Sequence, residues 1–493
     1  MAIFYAVIFL LGLWAARRQE SRQAEGLLVA GRGLPLWIGA FTMTATWVGG
    51  AYINGTAEAV YDDARGLVWT QAPWGYAISL VLGGMFFAGR MRRAGHTTLL
   101  DPFHQRYGRR TAAVLFVPAL VGEVFWSAAI LIALGTTFAI ICDLDTRTAI
   151  LVSAGVAIAY TVVGGLWSVA YTDVAQLLCI FVGLVVALPF ALADMGGWGD
   201  VWARYQEHFG EAASLLPPAE AFSRGGTWSM SGWVWLDYAL LLMLGGIPWG
   251  VYFQRVLACK DERSAVGLSL IAAGGCMLLA VPAGMLGAIG ATADWGSVGQ
   301  DAPQAVDVLP SVLRYFTPPL VAVVGLGAVA AAVMSSIDSS ILSASSMFTW
   351  NVYRPLVRPS AGDRELRWVV RGAVLVVGAL ATTLALSVGS VYALWFLCSE
   401  LVYVILFPQL VMVLFARRAT AAGSLAGALV GLIVRVAGGS PDLGWQAWIT
   451  LPMTGEDGTS AFPVRTFAML SSWITIAVVS RFTSGDGSPN PAA

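Results

Sequence analysis

The strongest constraint on this chain is the recurrence of apolar runs long enough to cross a bilayer, about thirteen of them against the roughly 20 residues a spanning helix needs. They fall at 2–16, 34–60, 67–90, 111–141, 148–165, 169–194, 232–256, 264–291, 318–350, 368–388, 390–414, 421–437 and 465–481. Of 493 residues, 58% are hydrophobic and only 12% are charged, where a soluble chain carries about 25% charged residues. So few charges cannot solvate a surface of this size. The fold expected is therefore all-α, a polytopic membrane protein whose outer face meets the lipid bilayer. A net charge of −1 supplies no basic field, so a nucleic-acid partner is not expected.

The five cysteines are scattered without ligand spacing, which argues against a disulfide scaffold or a zinc site. The stretch from Phe4 to Ala15 has the apolar character of a signal-peptide core. It lacks a leading positive region and is followed by Arg17 and Arg18, so it reads as an uncleaved first span. Lys260 is the only lysine among 28 basic residues, a bias that suggests a GC-rich, bacterial-type genome. With the N-terminus outside, basic residues favour the cytoplasmic loops by about three to one, as the positive-inside rule requires. That set includes Arg90, Arg92, Arg93, Arg255 and Arg263, whereas Arg65, Arg435 and Arg465 are among those left on the other side. An odd number of spans puts the C-terminus in the cytoplasm, after a short tail at 482–493 with no appended domain.

Two spans carry signals of interruption. The second contains Trp47-Val48-Gly49-Gly50, and the seventh contains Gly245-Gly246-Ile247-Pro248-Trp249-Gly250. With the first span set aside, these open two successive five-helix blocks, 34–194 and 232–414, followed by two further helices within 421–481. Blocks of five spans have opposite topology, and broken helices at matching places of two inverted repeats point to a transporter's central site. Glycine-mediated helix packing is the alternative reading of either break.

Around the breaks lie Trp47, Tyr52, Tyr76, Trp126, Trp249 and Tyr252. Several aromatic faces can hold a cation that offers no hydrogen bonds, such as a quaternary ammonium; interior aromatics can also simply fill space. In the ninth span, Ser335, Ser336 and Ser339 lie within about one helical turn, where hydroxyls and freed carbonyls could receive sodium. Asp338 is an ionisable residue in mid-span, a functional candidate by default, and Asp173 could share a second cation with it. Glu123 and Glu400 are further intramembrane carboxylates that could offset a bound cation or serve structure. Asp237 reads as a possible cap near a membrane boundary.

At this point long motifs match a known family. Phe41 to Gly50, Tyr52 to Tyr61, Leu244 to Trp249, Tyr171-Thr172-Asp173, and Met334 to Phe348 with its Asp338-Ser339-Ser340 core closely resemble the choline-transporting branch of the sodium:solute symporter family. The resemblance runs over nearly the whole chain. It implies a LeuT-type 5+5 inverted repeat and sodium-coupled, chloride-dependent uptake of choline by alternating access. It also implies an aromatic cage of Trp47, Tyr76, Trp126 and Trp249. The common sodium site of the family would be made by the carbonyls of Ala45, Val48 and Ala332 with the hydroxyls of Ser335 and Ser336. Asp173, Asp338 and Ser339 would correspond to a second sodium site found in some members. Glu400 stands where the family usually has aspartate. Competing readings are a symporter for betaine, carnitine or proline, and a membrane domain that senses a substrate without moving it. An integral membrane enzyme would need a nucleophile or metal cluster, which His96, His104 and His208 do not form.

Overall fold

In lipid every backbone polar group must find a partner within the protein, and helices achieve this within a single segment. The computed structural model describes residue 26 and residues 29–483, except 143, 164–165, 224–230, 389, 440–445 and 455–459. The expected first span at 2–16 and most of the tail lie outside the described residues. Among the described residues all regular elements are helical, with two isolated β-bridges.

The first run of helices comprises α1 (Leu36–Trp47), α2 (Gly50–Tyr61), α3 (Ala72–Leu82), α4 (Asp101–Tyr107), α5 (Arg109–Cys142), α6 (Thr146–Val163) and α7 (Leu166–Ala191). After α8 (Trp198–Phe209), a second run follows: α9 (Gly232–Gly245), α10 (Gly250–Ala258), α11 (Glu262–Thr292), α12 (Val308–Tyr315), α13 (Pro319–Met347), α14 (Asp363–Ala385), α15 (Val391–Leu401) and α16 (Phe407–Phe415). α17 (Ala421–Ala437) and α18 (Val464–Thr483) complete the chain. Each run opens on a helix in two halves and places a short helix, α4 or α12, between its second and third spans. Nine helices among the described residues are long and apolar enough to cross a membrane, and two shorter apolar helices lie at Thr146–Ala159 and Ala421–Ala437. The span expected at 34–60 is the broken pair α1 and α2.

Three spans are longer or less regular than the sequence suggests. α3 passes through a π-helical turn, Gly83–Ala88, into Gly89–Arg93; α13 continues as π-helix over Phe348–Val357; and Val402–Leu406 joins α15 to α16 in the same way. Apolar periodicity does not distinguish π from α geometry, so these bulges left no trace in the pattern.

Depth separates the helices. Every residue of α13 from Ala328 to Met347 is buried, whereas Leu429, Ile433, Ile474 and Phe482 on the C-terminal pair are exposed to lipid. The first break falls at Val48 (φ −85°, ψ 54°) and Gly49. A methyl group on Gly49 would collide with the Ser336 hydroxyl, and one on Gly50 with Val333, so only bare backbone lets the joint lie against α13. The second break spans Gly246 to Trp249. Here Pro248 brings no N–H donor, and a methyl on Gly246 would come within 2.6 Å of the Leu242 carbonyl and Ser79 Oγ.

A buried ionic cluster ties α17 and α18 to this bundle. Glu400 accepts from Arg435 Nε at 2.8 Å and from Arg465 Nε at 2.6 Å, and the Arg465 guanidinium lies 3.9 Å from the centre of the Tyr238 ring. Asp237 is indeed a cap, though of a distant helix: it accepts from the backbone N–H of Arg465 at 3.0 Å and of Thr466 at 2.6 Å, at the start of α18. Glu400 is thus committed to structure, one carboxylate between two guanidinium groups. Breaking a buried ion pair costs about 3–5 kcal/mol because a charge is left uncompensated. Glu400→Gln should therefore lower the unfolding temperature of the purified protein markedly, and Glu400→Asp should do so less; a Glu400→Gln protein as stable as the parent would exclude this role.

Candidate functional site

The two breaks and three intact helices enclose one cavity. Trp47 ends α1, Trp249 caps the start of α10, and Tyr76, Trp126 and Trp395 come from α3, α5 and α15. These five line one pocket between them. The rings meet at steep angles. Trp47 is 6.5 Å from Tyr76 and 6.1 Å from Trp126, and Trp126 is 5.4 Å from Trp249, with interplanar angles of 80°, 64° and 70°. Tyr76 also lies 5.6 Å from Trp395. Hydrogen bonds hold two walls: Trp249 Nε1 donates to the Gly245 carbonyl at 2.9 Å, and Tyr76 Oη lies 3.0 Å from Ser399 Oγ.

All four expected cage residues therefore line one space, and Trp395 joins them. Its signal was weak: an aromatic one turn before Ser399 and Glu400, in a span with no break. Tyr52 and Tyr252 do not line the cavity. Tyr52 donates to the Cys276 carbonyl at 2.8 Å, and Tyr252 Oη sits 2.9 Å from Ser269 Oγ, so both turn toward α11. Nearness to a break in sequence does not say which side of the helix a ring leaves from. No charged side chain lines the cavity. Glu123, one turn from Trp126, instead accepts from Ser340 Oγ at 2.9 Å and Ser343 Oγ at 2.8 Å.

Beside the cavity the first break meets α13 through hydroxyls. Ser335 Oγ donates to the Ala45 carbonyl at 2.9 Å and reaches the Ala332 carbonyl at the same distance. Ser336 Oγ donates to the Thr46 carbonyl at 2.9 Å and lies 3.3 Å from that of Ala332. Val48, the kinked residue between the halves, keeps its N–H on the Thr44 carbonyl at 2.7 Å. Carbonyl and hydroxyl oxygens thus converge without a formal charge, a donor set suited to a hard monovalent cation.

A second polar cluster lies deeper along α13. Thr42 Oγ1 donates to Asp173 Oδ2; Thr46 Oγ1 lies 3.3 Å from Ser339 Oγ; and Ser339 Oγ reaches Asp338 Oδ1 at 3.4 Å. The expected trio of Asp173, Asp338 and Ser339 is therefore assembled, and all three are fully buried. Arg255 completes it. Its Nη2 donates to Ser339 Oγ at 2.5 Å and stands 3.5 Å from Asp173 Oδ2, with no exposure to solvent. Placing Arg255 among the cytoplasmic loop charges was wrong. A basic residue at a span end reads as water-facing unless buried carboxylates are there to receive it.

Residues 27–431 match the model of the sodium:solute symporter family. The chain is 48% identical to the high affinity choline transporter 1 of Homo sapiens, over 97% of this chain and 83% of that protein. It is 48% identical to the high-affinity choline transporter 1 of Drosophila melanogaster, over 98% and 77%. Identity to the sodium/proline symporter of Haemophilus influenzae is 27%, over 82% and 81%. Among solved structures, the substrate-bound outward-open state of a Na+-coupled sialic acid symporter superposes with a TM-score of 0.79 at 18% identity, covering 98% of this chain and 96% of that one. The nucleobase-cation-symport-1 transporter MHP1 does so at 0.60 and 11%, covering 92% and 93%. Both likenesses place the fold in the LeuT-like class. By the extent of these matches, this multi-pass membrane protein is a secondary active transporter, not an enzyme, and belongs to the sodium:solute symporter family.

Proposed function

We propose that this chain is a sodium-coupled choline symporter working by alternating access. The observation that carries the reading is the five-ring cavity with no charged side chain in its wall. Ring faces attract a cation electrostatically, by about 2 kcal/mol or more each when desolvated. A trimethylammonium group needs no hydrogen-bond partners, and its methyls fit an apolar wall. The 48% identity to proteins named as choline transporters supports the same substrate.

Sodium binds, in this reading, between the α1–α2 joint and α13, where Ala45, Val48, Ala332, Ser335 and Ser336 supply oxygens. A second ion is received at Asp173, Asp338 and Ser339. Within two inverted repeats, 34–194 and 232–414, one helix bundle rocks against the other to expose the site on each side in turn, with the N-terminus outside and the C-terminus cytoplasmic. Contacts at both ends of the bundle are suited to opening in turn. Glu58 on α2 accepts from Ser390 Oγ at 2.8 Å and from the Tyr392 N–H at 3.2 Å. At the other end Leu34 N–H donates to the Ala258 carbonyl at 3.0 Å, and Arg92 Nε to the Cys259 carbonyl at 2.5 Å. Choline and sodium are both cations, so each adds about 2.3 kcal/mol of driving force per 100 mV of membrane potential. Chloride dependence belongs to the same proposal.

Uptake of labelled choline, betaine and proline into proteoliposomes, with and without a sodium gradient and with chloride replaced, tests this reading. Sodium-dependent accumulation of choline is expected. Betaine or proline moved in its place would shift the reading to another solute, and binding without accumulation would make the chain a sensor. Trp47→Ala and Trp249→Ala should each weaken choline binding at least about tenfold, on the scale of one desolvated cation–π contact, in protein that stays folded; unchanged affinity in either removes the cage. Ser336→Ala should raise the sodium concentration giving half-maximal uptake, and an unaltered sodium curve would count against the first ion site.

A further inference from the structure

We propose that Arg255 is a tethered counter-cation for the Asp173–Asp338 pair, holding that place when the second ion is absent and yielding it when the ion enters, and that this exchange repositions Trp249 in the cavity wall. The proposal rests on the sodium-coupled reading and assigns its second ion site a moving part within the chain.

Two fully buried carboxyl groups, Asp173 and Asp338, gather about one fully buried guanidinium, which pairs with Asp173 at 3.5 Å. Several buried atoms at the cluster also lack any hydrogen-bond partner: Asp173 Oδ1, Asp338 Oδ2 and Arg255 Nε. One turn from Asp173 on α7, the buried side chain of Gln176 leaves both amide atoms unpartnered. Native proteins pair such groups almost without exception, so atoms left open in this number mark a ligand's place. Glu123 also acts on Arg255 electrostatically, but it has its own partners in Ser340 and Ser343.

The guanidinium and an incoming ion need the same oxygens. Arg255 donates to Ser339 and faces Asp173, the two groups that also border Asp338 and Thr42. An ion settling on those oxygens displaces Arg255 by direct repulsion. Arg255 has little room to turn aside, being fully buried and bonded also to Gln254 Oε1 at 3.1 Å, and it sits within α10, a nine-residue helix capped by Trp249. Arg255 lies six positions along from Trp249, about 9 Å of helical rise. The non-helical joint from Gly246 to Trp249 frees α10 from α9, so a push at Arg255 is delivered at the indole. Arg255 is thus a positioning residue, acting on substrate through Trp249.

The test uses the full chain in lipid nanodiscs, with two equilibrium readouts that need no transport. The first is the sodium concentration giving half of the thermal stabilisation of choline-free protein. The second is choline affinity at low and at high sodium. Arg255→Gln should lower the sodium midpoint at least about fivefold, since the ion then meets uncompensated carboxylates, and should shrink the effect of sodium on choline affinity by a similar factor, the lower end of ordinary coupling between sites. Arg255→Lys should keep both near the parent values. An Arg255→Gln protein with the parent's midpoint and the parent's sodium effect would overturn the proposal. If that variant does not fold, the double variant Arg255→Gln/Asp173→Asn, which keeps the parent's net charge at the cluster, replaces it. The Hill slope of its sodium-dependent choline binding should fall toward one, and an unchanged slope would overturn the proposal equally. A parent protein that binds no choline at any sodium concentration would sink the choline reading alone, because the sodium midpoints of choline-free protein still judge Arg255.

Discussion

The rest of this structure depends on how two gaps in helical hydrogen bonding are tolerated inside a bilayer. Freed carbonyls and amides in hydrocarbon are unaffordable unless something polar meets them. At the first gap the hydroxyls of Ser335 and Ser336 take up the carbonyls of Ala45 and Thr46. This is possible because Gly49 and Gly50 have no side chain between the joint and α13. At the second gap Trp249 returns its indole N–H to the Gly245 carbonyl. Trp249 thus both holds its break and lines the central cavity, while the serines hold the first break from beside it.

This arrangement explains why the hydroxyl face of α13 is so long. From Ser335 through Ser343 it meets three partners in turn: the α1–α2 joint, the Asp173–Arg255 cluster, and Glu123 on α5. A hydroxyl can donate to a carbonyl or offer a lone pair to a cation with only a rotation about one bond. A row of serines can therefore satisfy the freed backbone without placing a charge in the bilayer. Carboxylates in the same places would carry a desolvation cost in the empty state that serine avoids.

Much of this is legible in the sequence, for physical reasons. Helix breakers in lipid are costly, so Gly49, Gly50, Gly246 and Pro248 could be read as a site and not as decoration. The tryptophans at the breaks inherited that significance, and Trp47 and Trp249 do line the cavity, with Tyr76 and Trp126. What escaped depends on direction around a helix, which a one-dimensional pattern does not hold. Trp395 points into the cavity, whereas Tyr52 and Tyr252, closer to the breaks in sequence, point at α11. Arg255 escaped because a charge near a span end obeys the positive-inside rule whether it faces water or two aspartates. The basic residues left on the minority side were the complementary clue. Arg65 pairs with Asp62 at 3.1 Å, and Arg435 and Arg465 share Glu400, so these exceptions are neutralised where they stand.

The two polar clusters overlap in what they connect. The first joins α13 to α1, which ends in Trp47; the second joins α13 to α1 through Thr46 and to α10 through Arg255, and Trp126 lies near both Trp47 and Trp249. Each broken helix therefore carries a cavity-lining indole at one end and a polar contact with α13 along it. α13, buried from Ala328 to Met347, gives both half-helices a common back wall.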